Sequence, residues 1–466
     1  MRLESLHSVY FLGIGGIGMS AIARWFNHLG IAVYGYDKTP SPLTHTLENE
    51  GMEIIYTDEP SQLPEVFKST SQEKLVVWTP AIPQNSDLLR YFRNKGFNLK
   101  KRAEVLGIIT RNMETVAVAG THGKTTTSSI IAHLLKSSGK NTAAFLGGLT
   151  QNYNNNFILH DEGSHEAPIV VVEADEFDRS FLHLHPNVSV VTSMDADHLD
   201  IYGDSQHLIE GFRQFIALTE KGGLVFIQEN AFEKLKGNDF GDTAILCYGL
   251  EGTQIKTQNI QAGISAFSFD YIDENVTMKA LKLHVPGFHN IENAVAAIAV
   301  ARHYGLSESD IRNGIASYKG VKRRFEIIHQ GKDLVFIDDY AHHPEEITAF
   351  LRSVKAMYPE KKLTAVFQPH LFTRTRDFAA GFSESLSLAD EVLLLEIYPA
   401  RELPIPGVES GMLLEKISSK TKMVLSKEVL IPYLEKSQPE VLVTIGAGDI
   451  DRMVPQIENW IKDGKR

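Results

Sequence analysis

The chain has 466 residues, and its 46 Lys and Arg against 58 Asp and Glu give a formal net charge of −12. This acidic balance disfavours a broad electrostatic interaction with nucleic acid or an anionic membrane, so a polyanionic ligand must be held locally. The single cysteine, Cys247, excludes an internal disulfide framework and a thiolate zinc cluster, and it suits a reducing cytoplasm. The length predicts three domains at about 100–200 residues each.

The chain begins with the pattern of a dinucleotide-binding unit. A strand over 8–12 runs into the turn GIGGIG at 13–18, and an apolar-periodic helix is predicted over 19–29. A second strand over 31–36 ends at Asp37, nineteen residues past Gly18, where an acid can hold a ribose or a base edge. Taken alone, this pattern favours NAD, and a tight turn without a ligand is the alternative.

The remainder of this region predicts a compact Rossmann-like domain with one sheet. A further strand is predicted at 75–79, and residues 101–104 open a short helix that leads to a boundary near Arg111. The glycine-interrupted start of the chain is typical of neither a signal peptide nor a membrane span.

Residues 116–127, VAVAGTHGKTTT, predict a phosphate-binding loop between a strand and a helix. Glycine amides and the positive end of a helix dipole can surround an anion, Lys124 can neutralise terminal phosphates, and the Thr125 hydroxyl can ligate Mg²⁺. The usual pattern has a glycine where Val118 stands, so this is a shortened variant that begins at Gly120. A chance Gly-Lys-Thr is the alternative, which the flanking strand and helix disfavour.

Acidic residues follow the next two predicted strands. The buried strand over 169–173 ends at Glu173, and a carboxylate at that end of a strand beside a phosphate loop is expected to hold Mg²⁺. At least two of the following acids, Asp175, Glu176 and Asp178, are interpreted as a solvated turn. The strand over 188–192 leads to His198 among three aspartates, which favours a second cation site with His198 as a ligand rather than a structural residue.

The last third of the chain predicts a second parallel α/β sheet. An alanine-rich helix over 287–304 carries Asn290 and Asn293 on one face, directed at a base or phosphate, with helix capping as the alternative for Asn290. After Arg324, strand and helix patterns alternate. Polar clusters follow four strands, where ligands of open α/β sheets bind; they lie at 338–344, 368–376, 398–401 and 446–449.

These motifs, in this order and over essentially the whole chain, resemble the Mur ligase family: GIGGIG, AGTHGKTTT, VVEADEFDRSFLHLHP, DADHLDIY, FHNIENA, RRFE, DDYAHHP, YPARELPIPG and GAGDI. The resemblance implies three α/β domains. They are an N-terminal Rossmann-like domain for a UDP sugar (1–110), a central P-loop-type ATPase domain (111–321) and a C-terminal Rossmann-like domain for an amino acid (322–466).

The branch of the family that the chain resembles implies ATP-dependent ligation of L-alanine to the lactyl carboxylate of UDP-N-acetylmuramate. The reaction passes through an acyl phosphate and gives ADP and phosphate. It implies a role in peptidoglycan precursor synthesis, and so in cell wall biogenesis, cell shape and cell division, in the bacterial cytoplasm. ATP and Mg²⁺ are the implied cofactors, without nucleic acid or membrane insertion, in a monomer or homodimer.

The resemblance also implies roles for individual residues. Lys124, Glu173 and His198 would be catalytic, and Thr125, Glu173 and His198 would hold Mg²⁺. The ATP phosphates would lie against Gly120, Thr121, His122, Gly123, Lys124, Thr125 and Thr126, near His289 and Asn290, and the adenosine against Asn293, Arg324 and Asp339. The UDP phosphates would lie at Gly15, Gly16 and Gly18, with Asp37 near the uridine. The substrate carboxylate or the incoming alanine would face Tyr340, His342 and Arg374.

Two positions depart from the family pattern, and three other functions stay open. Arg213 stands where several sister ligases carry a carbamylated lysine, so none is predicted here. Leu371 stands where many members have arginine, so Arg374 or Arg376 is expected to replace it. The nearest alternative is the recycling ligase that attaches a tripeptide to the same sugar. An NAD-dependent oxidoreductase and a nucleotide-gated binding protein without catalysis are the others.

Overall fold

The computed structural model describes residues 3–111, 113–161, 163–195, 205–251, 254–264, 266–400 and 402–464. The chain divides into two compact units. The first comprises Met1–Lys256 with Val295–Gly314, and the second comprises Thr257–Ala294 with Ile315–Arg466. None of the helices within the described ranges is long and apolar enough to cross a membrane.

The first unit begins with the one sheet predicted for a Rossmann-like domain, which has five parallel strands in the order β3-β2-β1-β4-β5. The central strand β1 is buried along its whole length, which explains its continuous apolar run SVYFL. Helix α1 begins two residues earlier than predicted, directly after Gly16. The elements are β1 (Ser8–Leu12), α1 (Ile17–His28), β2 (Ala32–Tyr36), α2 (Pro42–Asn49), β3 (Glu53–Ile55), β4 (Lys74–Trp78), α3 (Asp87–Asn94), β5 (Leu99–Lys101) and α4 (Arg102–Thr110).

A seven-stranded sheet follows in the same unit, in the order β12-β11-β10-β6-β9-β7-β8. Its strands are parallel except for β8, which pairs antiparallel with β7. The β7–β8 hairpin is not predicted from the sequence, because its small residues and glycines carry a weak strand signal. The elements are β6 (Glu114–Ala119), α5 (Lys124–Ser137), β7 (Thr142–Thr150), β8 (Asn155–Ile158), β9 (Ile169–Glu173), β10 (Val188–Val191), α6 (Ser205–Ala217), β11 (Leu224–Gln228), α7 (Glu229–Glu233) and β12 (Ala244–Tyr248).

One boundary between the two units follows Lys256, and the other two fall within helices α8 (Phe288–His303) and α9 (Glu308–Ser317). Before them comes a three-stranded sheet that the sequence analysis did not predict, with β14 antiparallel to β15. Its strand β14 alternates buried and half-buried residues along FSFDYI, the period-2 signal of a strand with one covered face. The three strands are β13 (Lys256–Ala262), β14 (Phe267–Ile272) and β15 (Thr277–Leu283).

The second unit also contains a six-stranded sheet in the order β16-β17-β21-β18-β19-β20. The predicted alternation of strands and helices is confirmed, but edge strand β16 is antiparallel to β17. The helix that the sequence predicts near 378–388 is confirmed by α12, whereas the short helix α11, which ends before Phe378, is not predicted. The elements are β16 (Glu326–Gln330), β17 (Val335–Asp339), α10 (Pro344–Met357), β18 (Leu363–Phe367), α11 (Phe372–Asp377), α12 (Ala379–Leu386), β19 (Glu391–Leu394), β20 (Thr421–Val424), α13 (Lys427–Ser437), β21 (Val441–Ile445) and α14 (Val454–Asp463).

Helix α1 joins the two sheets of the first unit. Its Trp25 ring lies 5.7 Å from the Phe145 ring of β7, between centroids, within one apolar core that extends to both sheets. The buried Asn156 side chain of β8 donates to the Ile17 carbonyl at 2.5 Å and accepts from the Arg24 guanidinium. The start of α1 is therefore fixed to the seven-stranded sheet by a satisfied buried polar network, which favours one arrangement of these elements.

Candidate active site

The turn at 13–18, here called the glycine loop, is held in shape by Asp37. The Gly15 amide donates to Asp37 Oδ2 at 2.8 Å, and a Cβ added to Gly15 would lie 2.8 Å from that oxygen. Gly13 has a φ of +88°, which favours glycine. The first amides of α1 have no acceptor within the helix, so they can bind an anion. The predicted role of Asp37 near a uridine stays a prediction.

An arginine that the sequence analysis did not select lies against the glycine loop. A Cβ on Gly18 would meet the guanidinium of Arg102, the first residue of α4, so a side chain there would displace this arginine. Arg102 Nη2 forms an ion pair with Asp175 Oδ2 at 2.9 Å. The third glycine of the motif is therefore needed for the close approach of Arg102.

The shortened phosphate loop lies between β6 and α5, at the carboxyl ends of neighbouring strands. Gly120 and Gly123 have φ values of +143° and +82°, and a Cβ on Gly120 would clash with the Thr192 hydroxyl. Ser193 Oγ, just after β10, lies 2.8 Å from both Thr121 Oγ1 and the His122 amide. The loop is thus fixed to the sheet, and the first amides of α5 remain without an acceptor within the helix.

Lys124 forms a buried ion pair that the sequence analysis did not predict. Its Nζ lies 2.8 Å from Glu176 Oε2 and donates to the Gly120 carbonyl at 2.5 Å. Burial opposes the charged lysine, but the carboxylates of Glu176, Asp175 and Glu173 outweigh it and raise the pKa of Lys124. Glu176 is 0% exposed, so it is not among the acids of a solvated turn, which the sequence predicts for at least two of Asp175, Glu176 and Asp178. The Asp178 side chain lies outside the described residues.

Two of the three predicted Mg²⁺ ligands lie at the phosphate loop. Glu173 is paired with Val118 in the register of β6 and β9, and its carboxylate accepts the Gly147 amide at 3.0 Å. Thr125 is buried in the first turn of α5. Their oxygens are the hard donors that Mg²⁺ prefers, so they fit this cation.

The remaining predicted metal ligand, His198, lies outside the described residues, and its role stays a prediction. Within the part of the chain that the structure describes, no three His, Cys, Asp or Glu side chains are arranged to hold a metal. Arg213, at the position of the sister ligases' carbamylated lysine, is paired with Glu210 at 2.6 Å on α6. Two hydrogen bonds from Arg213, with a further one from Gln214, lower the pKa of Glu210 to about 2.

The second unit carries a separate cluster at the end of β17. The Asp339 carboxylate accepts the amides of Phe325 and Ala341, each at 2.7 Å. Burial raises the pKa of Asp339 to about 7, against the opposing effects of Arg324 and these two amides. The guanidinium carbons of Arg323 and Arg324 lie 5.1 and 5.0 Å from the centroid of the Tyr340 ring, within cation–π distance.

The three predicted site residues of α8 differ in their hydrogen bonds. Asn290 is buried and donates to the Pro286 carbonyl at 2.7 Å, so its side chain closes the turn before the helix. Asn293 Nδ2 lies 3.5 Å from Asn290 Oδ1. His289 Nδ1 is buried without a hydrogen-bond partner among the described residues, and burial lowers the pKa of His289 to about 4. A neutral imidazole with an open nitrogen can accept or donate a hydrogen bond to a ligand.

Aromatic and histidine rings gather near the ends of β17, β18 and β19. The His342 ring lies 5.3 Å from the Tyr340 ring and 6.4 Å from the His370 ring, which stacks on Tyr398. His370 and Tyr398 are brought together by a parallel β-bridge between them. This pairing is long-range, so local sequence patterns do not reveal it.

Of the two arginines expected to replace the missing one, Arg374 is the more enclosed. Arg376 is exposed and paired with Asp377 at 2.7 Å, whereas Arg374 is half-buried on α11. Leu371 precedes this helix with a φ of +69°, and its amide donates to the Tyr398 carbonyl at 3.0 Å. An apolar side chain at this position cannot replace an arginine as a donor to a carboxylate.

Three family models match consecutive parts of the chain. The model described as "Mur ligase family, catalytic domain" matches residues 8–113, "Mur ligase middle domain" matches 118–301, and "Mur ligase, glutamate ligase domain" matches 323–448. Together they cover both anion-binding loops and the cluster of the second unit. The chain belongs to the Mur ligase family, with its three-domain α/β architecture.

Relatives that match nearly the whole chain carry the same name. The UDP-N-acetylmuramate--L-alanine ligase of Flavobacterium psychrophilum is 49% identical, over 99% of this chain and 100% of the relative. The ligase of the same name from Cytophaga hutchinsonii is 46% identical, over 98% of this chain and 97% of the relative. The crystal structure of UDP-N-acetylmuramate-alanine ligase from Thermotoga maritima has a TM-score of 0.82 at 27% identity, over 98% and 99%. A murein peptide ligase from Psychrobacter arcticus shares the fold, with a TM-score of 0.70 at 23% identity.

Proposed function

We propose that this protein joins L-alanine to the lactyl carboxylate of UDP-N-acetylmuramate while ATP is cleaved to ADP and phosphate. The observation that carries the proposal is that two glycine-rich loops, each followed by a helix, occur in one compact unit. Arg102, which lies against the first loop, pairs with Asp175, and the next residue, Glu176, pairs with Lys124 of the second loop. Two such loops suit two phosphate-bearing substrates, a nucleoside triphosphate and a sugar nucleotide. An NAD-dependent oxidoreductase would need only the first.

The first chemical step is set by the poor reactivity of a carboxylate. An amine cannot displace oxide from it, so a carboxylate oxygen first attacks the γ-phosphorus of ATP, the bond to the bridging oxygen breaks, and ADP leaves. The product is an acyl phosphate. The charged Lys124 and the first amides of α5 would stabilise the negative charge on the transferred phosphoryl group. Glu176 keeps the lysine charged and directed at the loop.

Thr125, Glu173 and His198 would hold Mg²⁺ beside the triphosphate. When bound, the ion neutralises phosphate charge and orients the γ-phosphoryl group. The Gly147 amide orients the Glu173 carboxylate for this role. A side chain at position 147 would displace that carboxylate from this orientation.

The second step is attack of the neutral amine of L-alanine on the acyl carbon, after which phosphate leaves. Tyr340, His342 and Arg374 would face the alanine or the substrate carboxylate, and Asn293, Arg324 and Asp339 would hold the adenosine. The amine loses a proton in this step, and we infer that His342 takes it up, because the lowered pKa of His289, about 4, makes that imidazole a weak base. We assign the UDP sugar to a domain over 1–110, ATP to a domain over 111–321 and the amino acid to a domain over 322–466. We expect the protein to act in the cytoplasm as a monomer or homodimer.

Phosphate release with ATP, Mg²⁺ and UDP-N-acetylmuramate tests the proposal. L-alanine, glycine, L-serine and the L-Ala-γ-D-Glu-diamino-acid tripeptide are compared as acceptors. We expect strong dependence on both the sugar nucleotide and L-alanine. A preference for the tripeptide would identify the recycling reaction instead, and release that is independent of the sugar would contradict a ligase of this specificity.

A further inference from the structure

We infer that Arg102 binds the diphosphate of the sugar nucleotide, and that Asp175 holds the guanidinium in place while no diphosphate is bound. The inference rests on the proposed function, because it takes UDP-N-acetylmuramate as the ligand of the glycine loop. Arg102 lies so close to the last glycine of this loop that a side chain at Gly18 would displace its guanidinium. The guanidinium is therefore at the loop's edge before any ligand arrives.

The Arg102–Asp175 pair is placed to open. Both side chains are partly exposed, at 21% and 34%, so the pair is neither sealed in the core nor freely solvated. A partly exposed ion pair contributes little to stability. A diphosphate offers more charge than one carboxylate, and its oxygens can take two parallel hydrogen bonds from the planar guanidinium. The exchange of Asp175 for a diphosphate is therefore favourable.

Asp175 also acts on Lys124 of the phosphate loop. It lies beside Glu176, the carboxylate that pairs with Lys124, and its charge adds to the field on that lysine. Two cations, one at each loop, thus have an acidic partner in consecutive positions of the turn after β9. When the sugar nucleotide binds, Arg102 would leave Asp175 and contact the substrate directly.

The test uses the two members of the pair separately, with binding measured by titration calorimetry on the full chain. Arg102→Gln removes the cation, and we expect the affinity for both UDP and UDP-N-acetylmuramate to fall at least tenfold. Asp175→Asn removes the competitor and leaves the cation, and we expect both affinities to rise about threefold. The matched control is Arg90→Gln, because Arg90 is in an exposed ion pair with Asp87 at 2.6 Å in the same sheet domain. It should change neither affinity.

Opposite signs are the result that separates this role from a structural one. If both variants weaken binding, the pair supports the loop and the inference is wrong. If Arg102→Gln weakens UDP-N-acetylmuramate but not UDP, the guanidinium meets the lactyl carboxylate and the diphosphate assignment fails. Arg102→Lys, which keeps the charge, should recover part of the affinity, and melting temperatures identify any variant that fails to fold. Because UDP is bound without turnover, these results stand even if L-alanine proves not to be the acceptor.

Discussion

Replacing Lys124 with alanine is expected to impair stability and turnover for two separable reasons. The substitution leaves Glu176, which is 0% exposed, as a buried carboxylate without its ammonium partner. Removing one member of a buried pair costs about 3–5 kcal/mol, and the 14% exposure of the lysine places this pair toward the lower end, about 3 kcal/mol. In a chain of this size we expect the melting temperature to fall by roughly 3–5 °C.

The double variant Lys124→Ala/Glu176→Gln separates the two effects. The neutral amide carries no unpaired charge, so we expect stability to return to within about 1 kcal/mol of wild type. Turnover should not return, since the charge at the transferred phosphoryl group is still missing, at a cost of about 4 kcal/mol or a thousandfold in rate. Glu176→Gln alone keeps the lysine and should retain measurable activity.

Thermal unfolding and phosphate release, measured on all three variants, check these expectations. Near-normal phosphate release by Lys124→Ala would refute the assignment of this loop to ATP. Equal melting temperatures for the single and double variants would refute the argument that an unpaired Glu176 causes the destabilisation.

Three further outcomes are expected. The pKa of Asp339 is raised to about 7 in the folded chain, so its contribution to the free energy of unfolding is complete below about pH 4 and is lost as pH rises to 7. Urea unfolding of wild type and Asp339→Asn should show this loss, about 4 kcal/mol, only in wild type; parallel pH profiles would contradict it. Gly147→Ala places a Cβ 2.6 Å from the Glu173 carboxyl carbon and should raise the Mg²⁺ concentration for half-maximal phosphate release about tenfold, and an unshifted titration would remove Glu173 from the metal site. His198→Ala should also raise the Mg²⁺ requirement, whereas an unchanged titration would indicate a structural histidine.

The positions of the two glycine-rich loops are predictable from the sequence because the features that define them are local. Glycines that need positive φ, the lysine and the following helix occupy consecutive positions, so the pattern at 116–127 contains the whole loop. The inner strands of the three mainly parallel sheets are predictable for the same reason, as runs of apolar residues that are buried on both faces.

The partners of these loops are not predictable in this way. Glu176 is buried because β6 and β9 lie side by side and bring it to Lys124, 52 positions away along the chain. Arg102 and Asn156 likewise act on the glycine loop from distant elements. The helix pattern identifies Arg102 only as part of a helix start. Asn156 lies in a hairpin whose strand signal is too weak to be predicted. Long-range pairing decides such roles, and a single sequence does not display it.

The most direct test of the proposed reaction follows oxygen atoms. UDP-N-acetylmuramate labelled with ¹⁸O in both lactyl carboxylate oxygens is incubated with ATP, Mg²⁺ and L-alanine, and the phosphate and the nucleotide product are analysed by mass spectrometry. If the carboxylate attacks the γ-phosphorus and alanine then displaces phosphate, the released phosphate carries one ¹⁸O and the new amide keeps the other. Unlabelled phosphate, or a product without alanine, would contradict the proposed function.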